Sequence, residues 1–578
     1  MSSQPDVTSQ ESHFDRDFGG TLSQLISALS SGEKLVLPEG EYHIYPHELP
    51  ERYLAPSNNR RSMKRVAILL ENLTDVEIDG SGSRFIFHGE VVPVHMHGCT
   101  GVKLRNLSID WARPFYSQAE ICGYDETGVE FQLDLERYPC EVKDGVMLFH
   151  GEGWSAPFRE GVFEIDREKG APAYLSGDNF GLRGGTSFAS KIPARQTGPN
   201  RFHLTMDYQR TPIIGNYLLL RHYPRLSPGI FLSQCKDIVI ESVAIHHAGA
   251  MGVIAQYCEN VSLLGVVVAP RRGSDRLFSV TVDATHFVNC RGLIHLQGCR
   301  FSHMMDDPCN VHGLNTRFSK RVDAHTAVFE LVHDEQHGVP VAFPGDEVQL
   351  ASNVTLLPYA NLTVSAIKTV SDQLVEVTFE ETLPDELDEG HVMENMSWTA
   401  DLHVENCVSG PNRARGYLIS TPGKVLLERN HITAAGAAVK ISGDANFWFE
   451  SGAVRDVTIR DNTIVDCCYG PVPWGSAMID IDPEIAEPLS NPAAFHRNIR
   501  IEGNTFRTFD PSILYARSVD GLSFTNNTVE LTDTYPEIGR HEAVLNFEAC
   551  MGVEIGENKV DPAIERPLVK EKTATFGQ

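Results

Sequence analysis

Cationic side chains are scarce in this 578-residue chain, where 49 Lys and Arg face 77 Asp and Glu for a formal charge of −28. A surface this acidic repels phosphate backbones and anionic membranes, which excludes general nucleic-acid or membrane binding. No apolar run reaches the roughly 18 residues of a membrane span. The opening MSSQPDVTSQESHFDRDFGG has neither the basic stretch nor the apolar core of a secretory leader. We therefore expect a cytoplasmic protein, or a secreted one whose leader has been removed. Cysteine is sparse as well, 12 residues with no C-x-x-C among them. Zinc-ribbon and thioredoxin-type chemistry thus lack support, and the thiols are expected to be reduced and buried. Neither G-x-S-x-G nor G-x-x-x-x-G-K-[ST] occurs, which excludes the usual serine-hydrolase and P-loop sites. HDEQH at 333–337 lacks the order of H-E-x-x-H, and HMHG at 95–98 places two histidines on one strand face, where packing is commoner than ligation. We expect no metal and no cofactor.

What is present is globular composition, 42% hydrophobic and 22% charged, carrying a repeat. An alternating eight-residue unit recurs at 76–83, 102–109, 238–245, 261–268 and 294–301, then at 402–409, 425–432, 457–464, 499–506, 522–529 and 553–560. With the sixth position as marker, the steps 243 to 266, 407 to 430 and 504 to 527 are each 23 residues. Alternation means strand, and a unit this short buries its apolar face only by stacking on its neighbours. The expected fold is all-β, a right-handed parallel β-helix. Asn430, Asn462, Asn504, Asn527 and Asn558 occupy the marker in the later units. Such residues can bond to one another as an internal ladder, a structural role. TLSQLISALSS at 21–31 reads as a helix covering the open end, with Thr21 and Gln24 as a capping box and Leu22, Leu25, Ile26 and Leu29 on one face. Two stretches lacking the marker, 113–228 and 314–400, hold short strands with frequent turns and read as inserted small β-barrel subdomains. The domain order is then 1–112, cap and first coils; 113–228, first insertion; 229–313, middle coils; 314–400, second insertion; and 401–578, last coils.

Chemistry concentrates in HMMDDPCNVHG at 303–313, which gathers Asp306, Asp307, Asn310 and His312 at a coil edge. Asp283 lies 23 residues before Asp306, the shortest repeat step, so the two are expected to stack about 4.8 Å apart. Alignment on HLQGCRF instead places Asp283 nearer His312. In either register three carboxylates converge. Such a cluster binds a hard cation, or it divides protons so that one group is acid and another base. Glycoside hydrolysis needs the second arrangement, with acid and base about 6.5–9.5 Å apart when configuration inverts.

MDDPCNVHG, the upstream VDATH, NRARGYLISTP at 412–422 and GDANFWFESGAV at 443–454 together resemble glycoside hydrolase family 110. The resemblance spans nearly the whole chain. It implies an inverting, metal-independent exo-α-1,3-galactosidase on a β-helix with inserted barrels, a group that includes blood-group B-cleaving enzymes. By the same resemblance Asp306 is the general acid, while Asp307 and Asp283 hold the attacking water, one or both as base. Crowding by the other two carboxylates is expected to keep a proton on Asp306. In GDANFWFESG, Trp448 offers a ring for the apolar face of galactose, and Asp444, Asn446 and Glu450 offer partners for its hydroxyls. Packing into the core is expected for at least one of Phe447, Trp448 and Phe449. Asn310, His312 and Arg415 complete the expected binding set, with Arg413 a weaker candidate. The partner is an oligosaccharide or glycoconjugate ending in α-galactose, and a homodimer is compatible with the sequence. Two alternatives stand beside this reading: a polygalacturonase-like β-helix enzyme, disfavoured because no basic residues are evident beside the acids, and a non-catalytic glycan-binding β-helix.

Overall fold

A computed structural model of the chain describes residues 17–158, 161–178, 192–222 and 225–572. Most of the opening segment read for a leader, 1–16, and parts of the first insertion lie outside the described residues. The main body is a parallel β-helix. One long sheet stacks Glu77–Phe87, Lys103–Trp111, Lys236–Ile245, Glu259–Leu264, Arg291–Gln297 and Ala400–Glu405 in parallel, and continues through Lys424–Glu428 to Met551–Ile555. A second parallel face runs from Ser62–Glu71 through Thr285–Val288 and Cys309–Arg321 to Val569–Lys572. Alternation in sequence becomes alternation in burial. In Lys424–Glu428, Val425 and Leu427 are buried while Leu426 between them is only half-buried.

The marker positions turn inward where the chain bends between strands. Asn462 shows the pattern: its Oδ1 accepts from the backbone N–H and the Nδ2 of Asn430 at 2.9 and 3.0 Å, and its own Nδ2 donates to the Leu427 carbonyl at 2.9 Å. Asn504, Asn527 and Asn558 repeat it downward, and Cys407 N–H donates to Asn430 at the top. A signal in the fifth position explains the bend itself. Asn106, Ser242, Gly265, Gly298, Asn406, Arg429, Asp461, Gly503 and Asn526 all have positive φ, between 53° and 68°. Gly, Asn and Asp dominate there because they tolerate the left-handed conformation best. In the first unit the expected marker, Ser81, falls in a register irregularity, and Ser83 takes the interior place opposite Leu107.

The end cap forms as Gly19–Ser27, with Leu22 and Ile26 buried and Leu25 and Leu29 packed against the core. The capping box does not. The helix begins two residues before Thr21, and Asp17 accepts the Gly19 N–H at 2.8 Å. All twelve cysteines are free thiols, ten of them buried. No helix among the described residues is long and apolar enough to cross a membrane.

Both insertions are antiparallel. The first is a seven-stranded sheet from Tyr116–Asp125 to Tyr217–Arg221, with a three-stranded sheet over Cys140–Pro157 beside it. The second is a closed six-stranded ring. Cys309–Arg321 pairs with Thr326–Glu330, then follow Leu374–Phe379, Pro358–Thr369, Glu347–Ala351 and Val392–Asn395, which returns to Cys309–Arg321. One strand thus begins as a β-helix rung at Cys309–His312 and ends as a barrel stave. That continuity fixes the barrel beside the aspartates.

Candidate active site

Adjacent rungs set the aspartates. Thr285–Val288 pairs in parallel with Cys309–His312, an offset of 24 residues. Asp283 therefore stacks on Asp307 and not on Asp306, contrary to the 23-residue spacing. Ala284 N–H donates to the Asp307 carbonyl at 2.8 Å, and Asp307 N–H donates to Asp283 Oδ1 at 3.0 Å. One oxygen from each of Asp283, Asp306 and Asp307 lies within 4.8 Å of the others. The convergence holds, while the separation is shorter than the 6.5–9.5 Å usual between acid and base in inverting enzymes.

Arginines divide the three. Asp307 is 1% exposed, and its two oxygens accept from Arg415 N–H at 2.7 Å and Arg415 Nη2 at 2.8 Å. Asp306, at 14%, is the most open of the three. It accepts from Arg413 Nη1 at 3.0 Å and stands 3.9 Å from Arg225 Nη2. Arg413 is itself fixed, donating from Nε to Asp178 at 2.6 Å.

Burial alone would raise Asp306, but Arg413, Arg415, Arg225 and Arg221 together hold it below the ordinary carboxylate range. Burial, reinforced by Asp306, pushes Asp283 up to about 8. Asp307 is pushed upward by burial as well, against the pull of Arg415. This corrects the expected location of the proton: in the free site it belongs to the inner pair, because the arginines reach Asp306 first. No basic residues are evident beside the acids in sequence, yet four arginines stand there in the fold, two brought from 221 and 225 at the end of the first insertion.

These groups line a cavity of about 610 Å³. Asn310, Arg415, Asp444, Trp448 and Glu450 line it too, as expected. Asn310 Nδ2 donates to Glu450 at 3.3 Å, and its buried Oδ1 has no partner among the described residues. Trp448 stacks on His333 at 4.4 Å, with the Arg225 guanidinium 5.0 Å from its ring centre. Phe449 is the aromatic that packs into the core, while Phe447 is 57% exposed at the rim. Asp444 is also structural, since its carboxylate accepts the N–H groups of Asn446, Phe447 and Phe449 at 2.6–3.0 Å and that of Trp448.

Two expected ligands are elsewhere. Asn446 is exposed and bonds Asn353 of the second insertion, because the turn that buries Phe449 points it outward. His312 lies behind the cavity wall, its side chain fully buried against His286 and the Gly313 carbonyl. Missed altogether were Asn58, Arg225, His286, Lys440 and Glu484, which also line the cavity. His333 lines it as well, within the segment set aside as a poor zinc motif. His95 stacks on Phe231 at 4.8 Å, the packing role expected of HMHG.

Two family models match the insertions: GLAA-B beta-barrel domain I over residues 117–218, and GLAA-B beta-barrel domain II over 326–393. Alpha-1,3-galactosidase A of Bacteroides fragilis is 34% identical over 525 residues, covering 89% of this chain and 85% of the relative. Alpha-1,3-galactosidase B of Bacteroides thetaiotaomicron is 33% identical over 536 residues, covering 92% and 86%. Alpha-1,3-galactosidase A of Shewanella woodyi is 34% identical over 509 residues, covering 88% and 82%.

Proposed function

This chain belongs to the α-1,3-galactosidases of glycoside hydrolase family 110, and on that footing we propose that it removes terminal α-1,3-linked galactose with inversion, Asp306 serving as acid. The observation that carries the proposal is the carboxylate triad, three side chains from two adjacent rungs within 4.8 Å at a cavity of about 610 Å³. A segment from an early coil walls this cavity, as suits removal of a chain-end sugar. Asn58 Nδ2 donates to Glu450 at 2.8 Å, and Arg225 holds the Asn58 carbonyl at 3.0 Å. Arg225, Arg413 and Arg415 are engaged by carboxylates of the protein, so a neutral sugar fits better than a polyuronate.

The substrate moves the proton. A glycosidic oxygen only accepts hydrogen bonds, so an ionised Asp306 repels it and a protonated Asp306 binds it. Binding therefore draws the proton from the inner pair onto Asp306. The inner carboxylates, now ionised, accept the hydrogens of a water placed behind the anomeric carbon. As the C–O bond breaks, Asp306 gives its proton to the leaving oxygen, and the water adds to the anomeric carbon while losing a proton to the inner pair. That leaves the proton on the inner pair and Asp306 ionised, which is the free site again.

A second reading has a specific observation behind it. Carboxylate oxygens that approach within 4.8 Å of one another suit the ~5–5.5 Å separation of retaining enzymes, in which one carboxylate attacks the sugar, better than the wider inverting one. Both oxygens of Asp307 already accept from Arg415, which leaves it a poor nucleophile.

α-Galactosyl fluoride tests the roles because fluoride leaves without a proton. Asp306→Asn should lose on the order of 10³-fold or more on an α-1,3-galactoside yet keep most of its rate on the fluoride. Asp283→Asn should fail on both. Loss of both activities in Asp306→Asn would remove it from the acid role.

A further inference from the structure

Behind Asp283 the structure holds a line of contacts that the reaction just described does not use. Asp283 Oδ2 is 2.7 Å from His286 Nδ1, His286 Nε2 is 3.0 Å from His312 Nε2, and His312 Nδ1 is 2.6 Å from the Gly313 carbonyl. Both imidazoles are buried, their side chains 1% and 0% exposed. The rings meet edge to face, at 81°. Their register makes the contact: His286 and His312 lie on paired rungs, Val288 opposite His312 and His286 opposite Asn310.

The protons can be counted. Three hydrogen bonds need three protons, while an ionised aspartate with two neutral imidazoles supplies two. The Gly313 carbonyl only accepts, so His312 carries its proton on Nδ1 and presents a lone pair at Nε2. A neutral His286, the form its burial favours, then carries its proton on Nε2 and leaves a lone pair at Nδ1. The third proton therefore stands on Asp283 Oδ2. Asp307 offers no comparable place, since both its oxygens face Arg415 donors.

We propose that His312 and His286 form a tautomer-locked relay, anchored on the Gly313 carbonyl, that makes Asp283 the base of the pair, with His286 as a positioning residue acting through it. The assignment rests on the triad reading above. Ionised Asp283 faces a lone pair on His286, and capturing a proton from the attacking water removes that repulsion. The contact thus favours the proton transfer that hydrolysis requires. The surrounding charges are Asp306, Asp307, Arg225 and Arg415 around Asp283; Glu450, Arg225 and Asp306 around His286; and Glu450 and Asp283 around His312, with Glu450 Oε1 at 3.6 Å from His312 Nε2. Burial lowers both imidazoles, His286 to about 4, in keeping with neutral rings.

The test is the pH profile of kcat/KM for His286→Leu and His286→Asn, together with ¹⁵N shifts of labelled histidine in the folded Asp306→Asn protein. The relay predicts that His286→Leu moves the alkaline limb down by about one pH unit, a loss of about tenfold at the alkaline end, at nearly constant KM. Asn, whose amide oxygen can stand in for Nδ1, should restore part of the shift. The spectrum should show two neutral rings, His312 protonated at Nδ1 and His286 at Nε2. An upward shift of the limb would mean that His286 donates to an ionised Asp283, and would overturn the relay. So would an unshifted limb, an imidazolium signal, or a divalent metal bound between the two Nε2 atoms in the purified protein. If no galactoside were cleaved at all, the triad reading would fail, while the tautomers would still decide the relay.

Discussion

Among single residues, the 24-residue offset between Asp283 and Asp307 settles more than the identity of either side chain. It joins those two as a stacked inner pair and leaves Asp306 open to the cavity among arginines. MDDPCNVHG and VDATH displayed all three aspartates, but a one-residue change of register is invisible when both steps fit a repeat. Their electrostatics were not legible either, because Arg225 reaches Asp306 from 81 residues away in sequence. The buried proton also affects stability. Asp283 titrates near 3.8 when exposed and near 8 in the fold, so between those values the folded state binds the extra proton and stability falls as pH rises. Asp283→Asn, whose amide imitates the protonated carboxyl, should fold, lose activity and flatten that decline. Thermal melts from pH 4 to 9 check this, and an unchanged slope would show that Asp283 is ionised throughout.

At the scale of elements, the Asn ladder was the most legible feature, since five residues of one type at one repeat position leave little else for them to do. Its energetics follow from position. Asn462 is buried and bonded on both sides, so Asn462→Ala strips several hydrogen bonds and leaves backbone groups unpaired, a loss of about 3 kcal/mol. Asn558, half-buried at the end of the ladder, should cost less. Denaturant midpoints of the two variants check the ranking, with activity at 25 °C unchanged in both; equal losses would mean that the ladder adds nothing beyond its individual bonds. The helical cap was legible from its Leu/Ile face, whereas its start was not. Thr21 and Gln24 imitate a capping box, but Asp17 lies nearer the first free N–H groups and takes the role.

For the molecule as a whole, the repeat revealed the solenoid and the gaps in it revealed the insertions, but not the cavity they enclose. That cavity draws Asn58 from an early coil, Arg221 and Arg225 from the first insertion, His333 and Glu335 from the second, and Trp448 and Glu484 from later coils. No spacing rule connects residues so far apart; coil stacking and the barrel grown from the strand Cys309–Arg321 bring them together. The net charge of −28 is likewise a poor guide to the site, where arginines are counter-ions to the acids. The configuration of the sugar first released tests the assigned carboxylate roles most directly. Proton NMR of the protein mixed with galactose-α-1,3-galactose should show β-galactose first, with the α anomer growing in later by mutarotation. Initial α-galactose would contradict the account, turning the closely spaced carboxylates into the acid and nucleophile of a retaining enzyme.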